Sequence, residues 1–200
     1  MASPVDFYFD FSSPYGYLGA ELIEGVAERQ NREITWRPYL MGALFKKLGT
    51  QALVFDPVKG AYARRDIVRT AAYLDIPFAT PDPFPVHSIA ACRVFYWLND
   101  NDPALARSFA LNLMRGFFRD NHNLSEPEVV VAAAAEVGID QAETAAALKD
   151  VAVKERLKRE VAAALDRGVF GSPYFIVDDE VFWGTDRIEQ LERWLATGGW

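Results

Sequence analysis

The sequence predicts a mixed α/β protein in which a strand–helix–strand opening and a hairpin–helix ending flank a long stretch of helices alone. Three observations carry this. Val5 to Phe11 is an aromatic, β-prone run near the start, the composition of a buried central strand. Residues 41–165 are rich in Ala, Leu, Arg and Glu and show no strand-type alternation. After residue 165 two short β-prone runs return, followed by one amphipathic segment.

The elements follow in order. Leu18, Leu22, Ile23, Val26 and Ala27 recur at three- and four-residue steps, predicting a helix that ends near Gln30-Asn31. Ile34 to Arg37 is the second strand, and Pro38 should end it by removing a donor. Such a unit favours parallel strands. Helices are expected near 61–75, 88–99, 103–120, 126–137 and 140–166, with Ser125 and Glu128 in capping-box spacing. Tyr174–Val177 and Val181–Trp183 flank Asp178-Asp179-Glu180 as a hairpin. Asp186 and Glu189 read as the capping signal of a last helix, whose buried stripe would be Ile188, Leu191, Trp194 and Leu195. This order is that of a thioredoxin-like fold interrupted by a large all-helical insertion. The expected division is 1–40 with 166–200 as the thioredoxin-like domain, and 41–165 as the inserted α-helical domain.

Composition excludes several functions. The 200 residues carry 21 basic and 28 acidic side chains, a formal charge of −7 without a basic block, which argues against a nucleic-acid partner. Cys92 is the sole cysteine, so neither an intrachain disulfide nor a dithiol couple exists. It is expected to be a small core side chain. No basic segment followed by an apolar core opens the chain, and no run of about 18 apolar residues occurs, so no membrane partner and a cytoplasmic location are expected. His87 and His122 lie in loop-like contexts, and no metal-ligand spacing, phosphate loop or Ser/His/Asp order is present.

Three short motifs carry chemistry. Asp10-Phe11-Ser12-Ser13-Pro14-Tyr15-Gly16 runs from the first strand into the first helix. Ser13 therefore falls at a helix N-terminus, where free N–H groups and the macrodipole favour an anion. This is the corner at which thioredoxin-like proteins hold a reactive cysteine. A serine there cannot carry electrons, but its hydroxyl can hydrogen-bond another molecule's thiolate. A free thiol has a pKa of about 8.5, and roughly 1.4 kcal/mol of stabilisation lowers it by one unit. An ordinary N-cap is the structural alternative for Ser13, and Ser12 could equally be the capping hydroxyl. Ser172-Pro173 is the second motif. If cis, its turn leaves the Ser172 backbone able to pair with a peptide-like ligand, whereas a trans proline would simply open a strand. The third is Trp183-Gly184-Thr185-Asp186-Arg187. Exposed amides at the start of the last helix attract a carboxylate, and Asp186 can hold an ammonium; a plain helix cap is the alternative.

Asp-Phe-Tyr-Phe-Asp-Phe-Ser-Ser-Pro-Tyr, Gly-Val-Phe-Gly-Ser-Pro and Phe-Trp-Gly-Thr-Asp-Arg together resemble the signatures of the 2-hydroxychromene-2-carboxylate isomerases. These belong with kappa-class glutathione transferases in the DsbA-like branch of the thioredoxin superfamily, and the likeness covers nearly the whole chain. The resemblance implies glutathione as cofactor and a small aromatic carboxylate as substrate. It implies Ser13 as the catalytic residue at the glutathione sulfur, Ser172 pairing with the cysteinyl unit before a cis Pro173, and Trp183, Gly184, Thr185 and Asp186 around the γ-glutamyl end. Lys59 would hold the glycyl carboxylate, and Gly49 and Thr50 would face the substrate. Thr50 stands where the family has Asn, Thr185 where Asn or Ser is common, and Gly16 replaces a frequent Ser. The implied function is a glutathione-dependent isomerase of aromatic catabolism, acting as a homodimer. A kappa-like transferase and a non-catalytic glutathione-binding protein are the alternatives. Disulfide exchange is disfavoured, because the corner has no cysteine.

Overall fold

The computed structural model describes residues 3–200. The chain opens with β1 (Val5–Phe9), α1 (Pro14–Gln30) and β2 (Ile34–Pro38). The helical stretch comprises α2 (Met41–Leu48), α3 (Gly60–Tyr73), α4 (Ile89–Asn99), α5 (Pro103–Asp120), α6 (Pro127–Glu136), α7 (Gln141–Ala147) and α8 (Val151–Asp166). It closes with β3 (Tyr174–Val177), β4 (Glu180–Trp183), a 3-10 turn over Thr185–Arg187, and α9 (Ile188–Thr197).

The sheet order is β2-β1-β3-β4, with β1 parallel to β2 and antiparallel to β3. β1 is central, as its composition predicts. Alternation along it sends Phe7 and Phe9 to one face and Tyr8 to the other. Phe7 stacks on Phe9 and Phe175 with centroids 4.9 and 5.3 Å apart, and Trp36 stands edge-on to both phenylalanines of β1. Phe11 continues this layer to Phe95 of α4 and Phe109 of α5. Each such fully buried ring contributes roughly 1.5–3 kcal/mol of transfer free energy. On the opposite face Tyr8 packs with Tyr39, Leu44 and Ala164, closed by α2 and α8. The larger core runs without a break from the sheet into α4, α5 and α6, so the helices stand on the sheet's aromatic layer.

Pro38 is the last residue of β2, so the strand ends there as expected, though the proline itself still pairs with Phe9 on the edge strand. Several expectations need correction. The segment read as one helix over 140–166 is two: Asp150 turns out of helix and its carboxylate caps α8 through Ala152 N–H at 2.7 Å. The Ser125–Glu128 box does not form, because Ser125 donates to the Asn123 side chain at 2.7 Å and Glu126 is the N-cap of α6. Asp186 does not cap α9; it lies in the preceding 3-10 turn and pairs with Arg187 at 2.8 Å. Trp194 is only partly buried, whereas Ile188, Leu191 and Leu195 are core.

Candidate functional site: the mouth of the first helix

Two glycines let α1 lie directly on the turn before β3. A Cβ at Gly19 would stand 2.9 Å from the Pro173 ring, and one at Gly16 would stand 2.5 Å from Ser172 Oγ. The Ser172–Pro173 peptide is cis. This close approach sets Ser13 against Ser172.

Ser13 is the N-cap of α1, with extended backbone angles. Its Oγ accepts the Gly16 N–H at 3.1 Å and donates to the Ser172 carbonyl at 3.0 Å. Ser12, the other candidate cap, instead donates its hydroxyl to Asp10 at 3.0 Å. Ser13 is therefore both helix cap and neighbour of the cis turn, and it is partly exposed. Pro14 has no N–H, and the Tyr15 N–H donates to no group among the described residues. The helix mouth thus keeps one unclaimed backbone donor beside a hydroxyl, the arrangement that attracts an anion.

The third motif joins the same place. Gly184, at φ 103°, adopts a conformation that a side chain would strain, and its N–H reaches the Pro173 carbonyl at 3.1 Å. Thr185 is buried and donates Oγ1 to the Tyr15 carbonyl at 3.0 Å. Trp183 lies across Gly171, leaving no room there for a Cβ, and meets Phe170 edge-on at 5.0 Å. Both rings are about half exposed. Asp186 is exposed, and Arg187 is its one ion-pair partner among the described residues. Ser13, Ser172, Pro173, Gly184 and Thr185 are thus linked by hydrogen bonds, Thr185 through Tyr15, with Trp183 packed beside them on Gly171; Asp186 makes no hydrogen bond to them among the described residues.

Lys59, Gly49 and Thr50 are not tied to that cluster. Gly49 ends α2 in a left-handed conformation and Thr50 continues its turn, both exposed. Lys59 precedes α3, where the Asp56 carboxylate receives its N–H at 2.7 Å. The link from α3 to the corner is instead Tyr15, whose hydroxyl donates to Asp66 at 2.5 Å. Asp66 lies seven residues beyond Lys59, about 10 Å along a helix axis. Burial and the Asp66 carboxylate push the Tyr15 hydroxyl well above the usual tyrosine pKa. Tyr15 is therefore a neutral donor.

Asp10 holds the corner together, a role that its place in the motif does not reveal. It is 4% exposed. Oδ1 accepts the Ser12 N–H, the Ser12 hydroxyl and the Ser88 hydroxyl, and Oδ2 accepts the Met41 N–H at 2.8 Å. Its own N–H donates to Ser172 Oγ at 2.9 Å. Burial raises its carboxyl above the ordinary aspartate value, and those four donors work in the opposite direction. Tyr39, fully buried, adds a hydrogen bond to the Gly171 carbonyl at 2.8 Å. The buried Cys92 thiol is raised well above its usual pKa by burial, which leaves it inert. His87 is exposed. Among the described residues no His/Cys/Asp/Glu group could hold a metal, and no helix is long and apolar enough to cross a membrane.

Residues 4–196 match the family model described as a DsbA-like thioredoxin domain. A 2-hydroxychromene-2-carboxylate isomerase from Sphingobium xenophagum is 29% identical over 199 residues, spanning 98% of this chain and 99% of the relative. Glutathione S-transferase kappa 1 of Homo sapiens is 28% identical over 209 residues, spanning 96% and 92%. A solved 2-hydroxychromene-2-carboxylate isomerase structure superposes with a TM-score of 0.88 at 25% identity, covering 97% of this chain and 95% of its own. With nearly its full length matched by that model, the chain belongs to the DsbA-like thioredoxin domain family.

Proposed function

We propose that this chain is a glutathione-dependent isomerase of the 2-hydroxychromene-2-carboxylate type, with the glutathione sulfur held at Ser13. The observation that carries the reading is the Ser13 hydroxyl bridging Gly16 N–H and the Ser172 carbonyl at a helix mouth whose Tyr15 N–H is unclaimed. A serine hydroxyl has one proton. In the free protein that proton goes to the Ser172 carbonyl. When the tripeptide lies along the cis turn, its cysteinyl N–H takes that carbonyl, and the Ser13 hydroxyl turns to the sulfur. Ligand binding and thiolate stabilisation are then one exchange of donors. Trp183, Gly184, Thr185 and Asp186 receive the γ-glutamyl end, and Lys59 the glycyl carboxylate. Gly49 and Thr50 face a small aromatic carboxylate substrate.

With the hemiketal ring opened, the thiolate adds to the activated carbon of the substrate: a C–S bond forms, the neighbouring π bond breaks, and its electron pair moves onto the conjugated carbonyl oxygen as an enolate, leaving a single bond. Rotation about that bond follows. The C–S bond then breaks, the double bond re-forms, and the thiolate is returned unconsumed. In this reading 1–40 and 166–200 carry the glutathione corner, the inserted 41–165 block supplies the substrate wall, and the enzyme is a cytoplasmic homodimer.

A kappa-type transferase is the second reading, favoured by the human relative at almost the same identity. It uses the same corner but consumes glutathione. Titration calorimetry with glutathione, followed by absorbance-monitored turnover of 2-hydroxychromene-2-carboxylate with and without it, tests the proposal. Turnover that needs glutathione but does not deplete it supports the isomerase. Depletion with an electrophile supports the transferase. Absence of glutathione binding overturns both.

A further inference from the structure

We propose that a groove among α4, α6 and α7, apart from the Ser13 corner, binds a small carboxylate that carries an apolar body. The groove has a volume of about 540 Å³, within the usual range of small-molecule sites. Its walls are apolar: Ala90 from α4, Val131 and Ala132 from α6, and Ala145 and Leu148 from α7 and its end. Arg93 and Lys149 bring positive charge to it, and Glu128 one carboxylate.

Arg93 is the informative residue. Its Nε is buried and meets no acceptor among the described residues. Its guanidinium makes no ion pair among the described residues; Arg64, Arg65, Arg159 and Arg193 are likewise unpaired there but exposed, whereas Arg93 is partly buried. Buried N–H groups are nearly always matched, and an unmatched one on a cation is costly. The group that answers a guanidinium is a carboxylate, and Arg93, whose Nε is covered but whose side chain is only partly buried, lines the groove. With Lys149 beside it, the lining sets two cations against one acid, Glu128, in a chain whose overall charge is −7. The groove is thus locally selective for an anion that the protein's net field would repel. The small residues along its walls leave the space for an aromatic or aliphatic body. None of its lining residues belongs to the glutathione corner, so the inference stands independently of that reading.

The test is a ¹H–¹⁵N chemical-shift titration of the full chain with 4-phenylbutyrate, using 4-phenylbutyramide as its neutral analogue, with glutathione present throughout at saturating concentration. The expected result is saturable shifts confined to residues near 90–93, 127–132 and 141–149. The amide should bind about tenfold or more weakly, the loss expected for a charge-assisted hydrogen bond. Arg93→Gln should cause a similar loss. Ala132→Leu, at an exposed position, should abolish binding by filling the groove, and it decides the matter if Arg93→Gln fails to fold. Shifts elsewhere, no saturation in the millimolar range, equal binding of the amide, or unchanged affinity in the folded variants would each overturn the proposal.

Discussion

Replacing Ser13 with alanine separates the two jobs its oxygen performs. The substitution removes an N-cap acceptor from Gly16 N–H and a donor to the Ser172 carbonyl. Loss of the cap costs about 1 kcal/mol, which lowers Tm by roughly 2–4 °C in a chain of this size. That change follows from local structure whatever the ligand. The diagnostic effect is on the bound sulfur. A hydrogen bond to a charged partner is worth about 1.5–3 kcal/mol, so its loss raises the bound thiol's pKa by roughly 1–2 units. Turnover at neutral pH should fall about tenfold or more and recover as pH rises, while glutathione affinity stays within a few-fold. Ser13→Thr keeps both acceptor and donor and should restore the wild-type profile. The assay is thiolate ultraviolet absorbance of the glutathione complex against pH, paired with the pH dependence of kcat/KM. An acidic limb that does not move in Ser13→Ala, or Thr and Ala variants that behave alike, would refute the assignment.

Other expectations follow from the same contacts. Asp10→Ala strands the Ser12 and Met41 N–H groups and the Ser88 hydroxyl in a buried site, so it should cost about 3–5 kcal/mol, read from urea unfolding. Gly19→Ala sets a Cβ 2.9 Å from the rigid Pro173 ring. Overpacking of about 1–3 kcal/mol outweighs the helix-propensity gain of about 1 kcal/mol, so the variant should lose stability and glutathione affinity together; a gain in both would contradict the packing argument. Burial tends to raise the Glu21 carboxyl, but Arg115 and Arg119, each 2.7 Å away, outweigh it and hold the group below the ordinary glutamate value. Its folded pKa is therefore depressed, so the stabilisation is complete above the unfolded value of about 4.3 and is lost as pH falls through the folded one. Melting curves from pH 7 down through about pH 4 and below should show Glu21→Gln losing less Tm on acidification than the wild type.

The parts of this molecule legible in its sequence are those whose stabilisation is local or periodic. Aromatic alternation marks β1, three- and four-residue steps mark α1 and α9, and Asp178-Asp179, both at positive φ, mark the hairpin. The missed helix, α2, has no local start signal: Leu40 makes no side-chain cap, and Met41 N–H is received by Asp10, 31 residues earlier. Tertiary capping of this kind leaves no trace at the helix itself. The pairing of Tyr39 with Gly171, 132 residues apart, is invisible for the same reason.

The corner follows the same division. Ser13 and Ser172 are readable because each sits in a short motif with a structural meaning, a strand-to-helix corner and a residue before proline. What brings them within 3.0 Å is not in either motif. It is the absence of side chains at Gly16 and Gly19, which lets α1 settle on the proline turn, together with Asp10, whose N–H holds Ser172 Oγ while its carboxylate anchors α2 and the residue before α4. The inserted helices are therefore fastened to the same aspartate that shapes the helix mouth. A change in how α2 or α4 sits therefore reaches the corner through Asp10, whereas Lys59 and Thr50 make no direct hydrogen bond to it among the described residues. In the proposed reading, the half of the site that Asp10 fastens is the half that meets the sulfur.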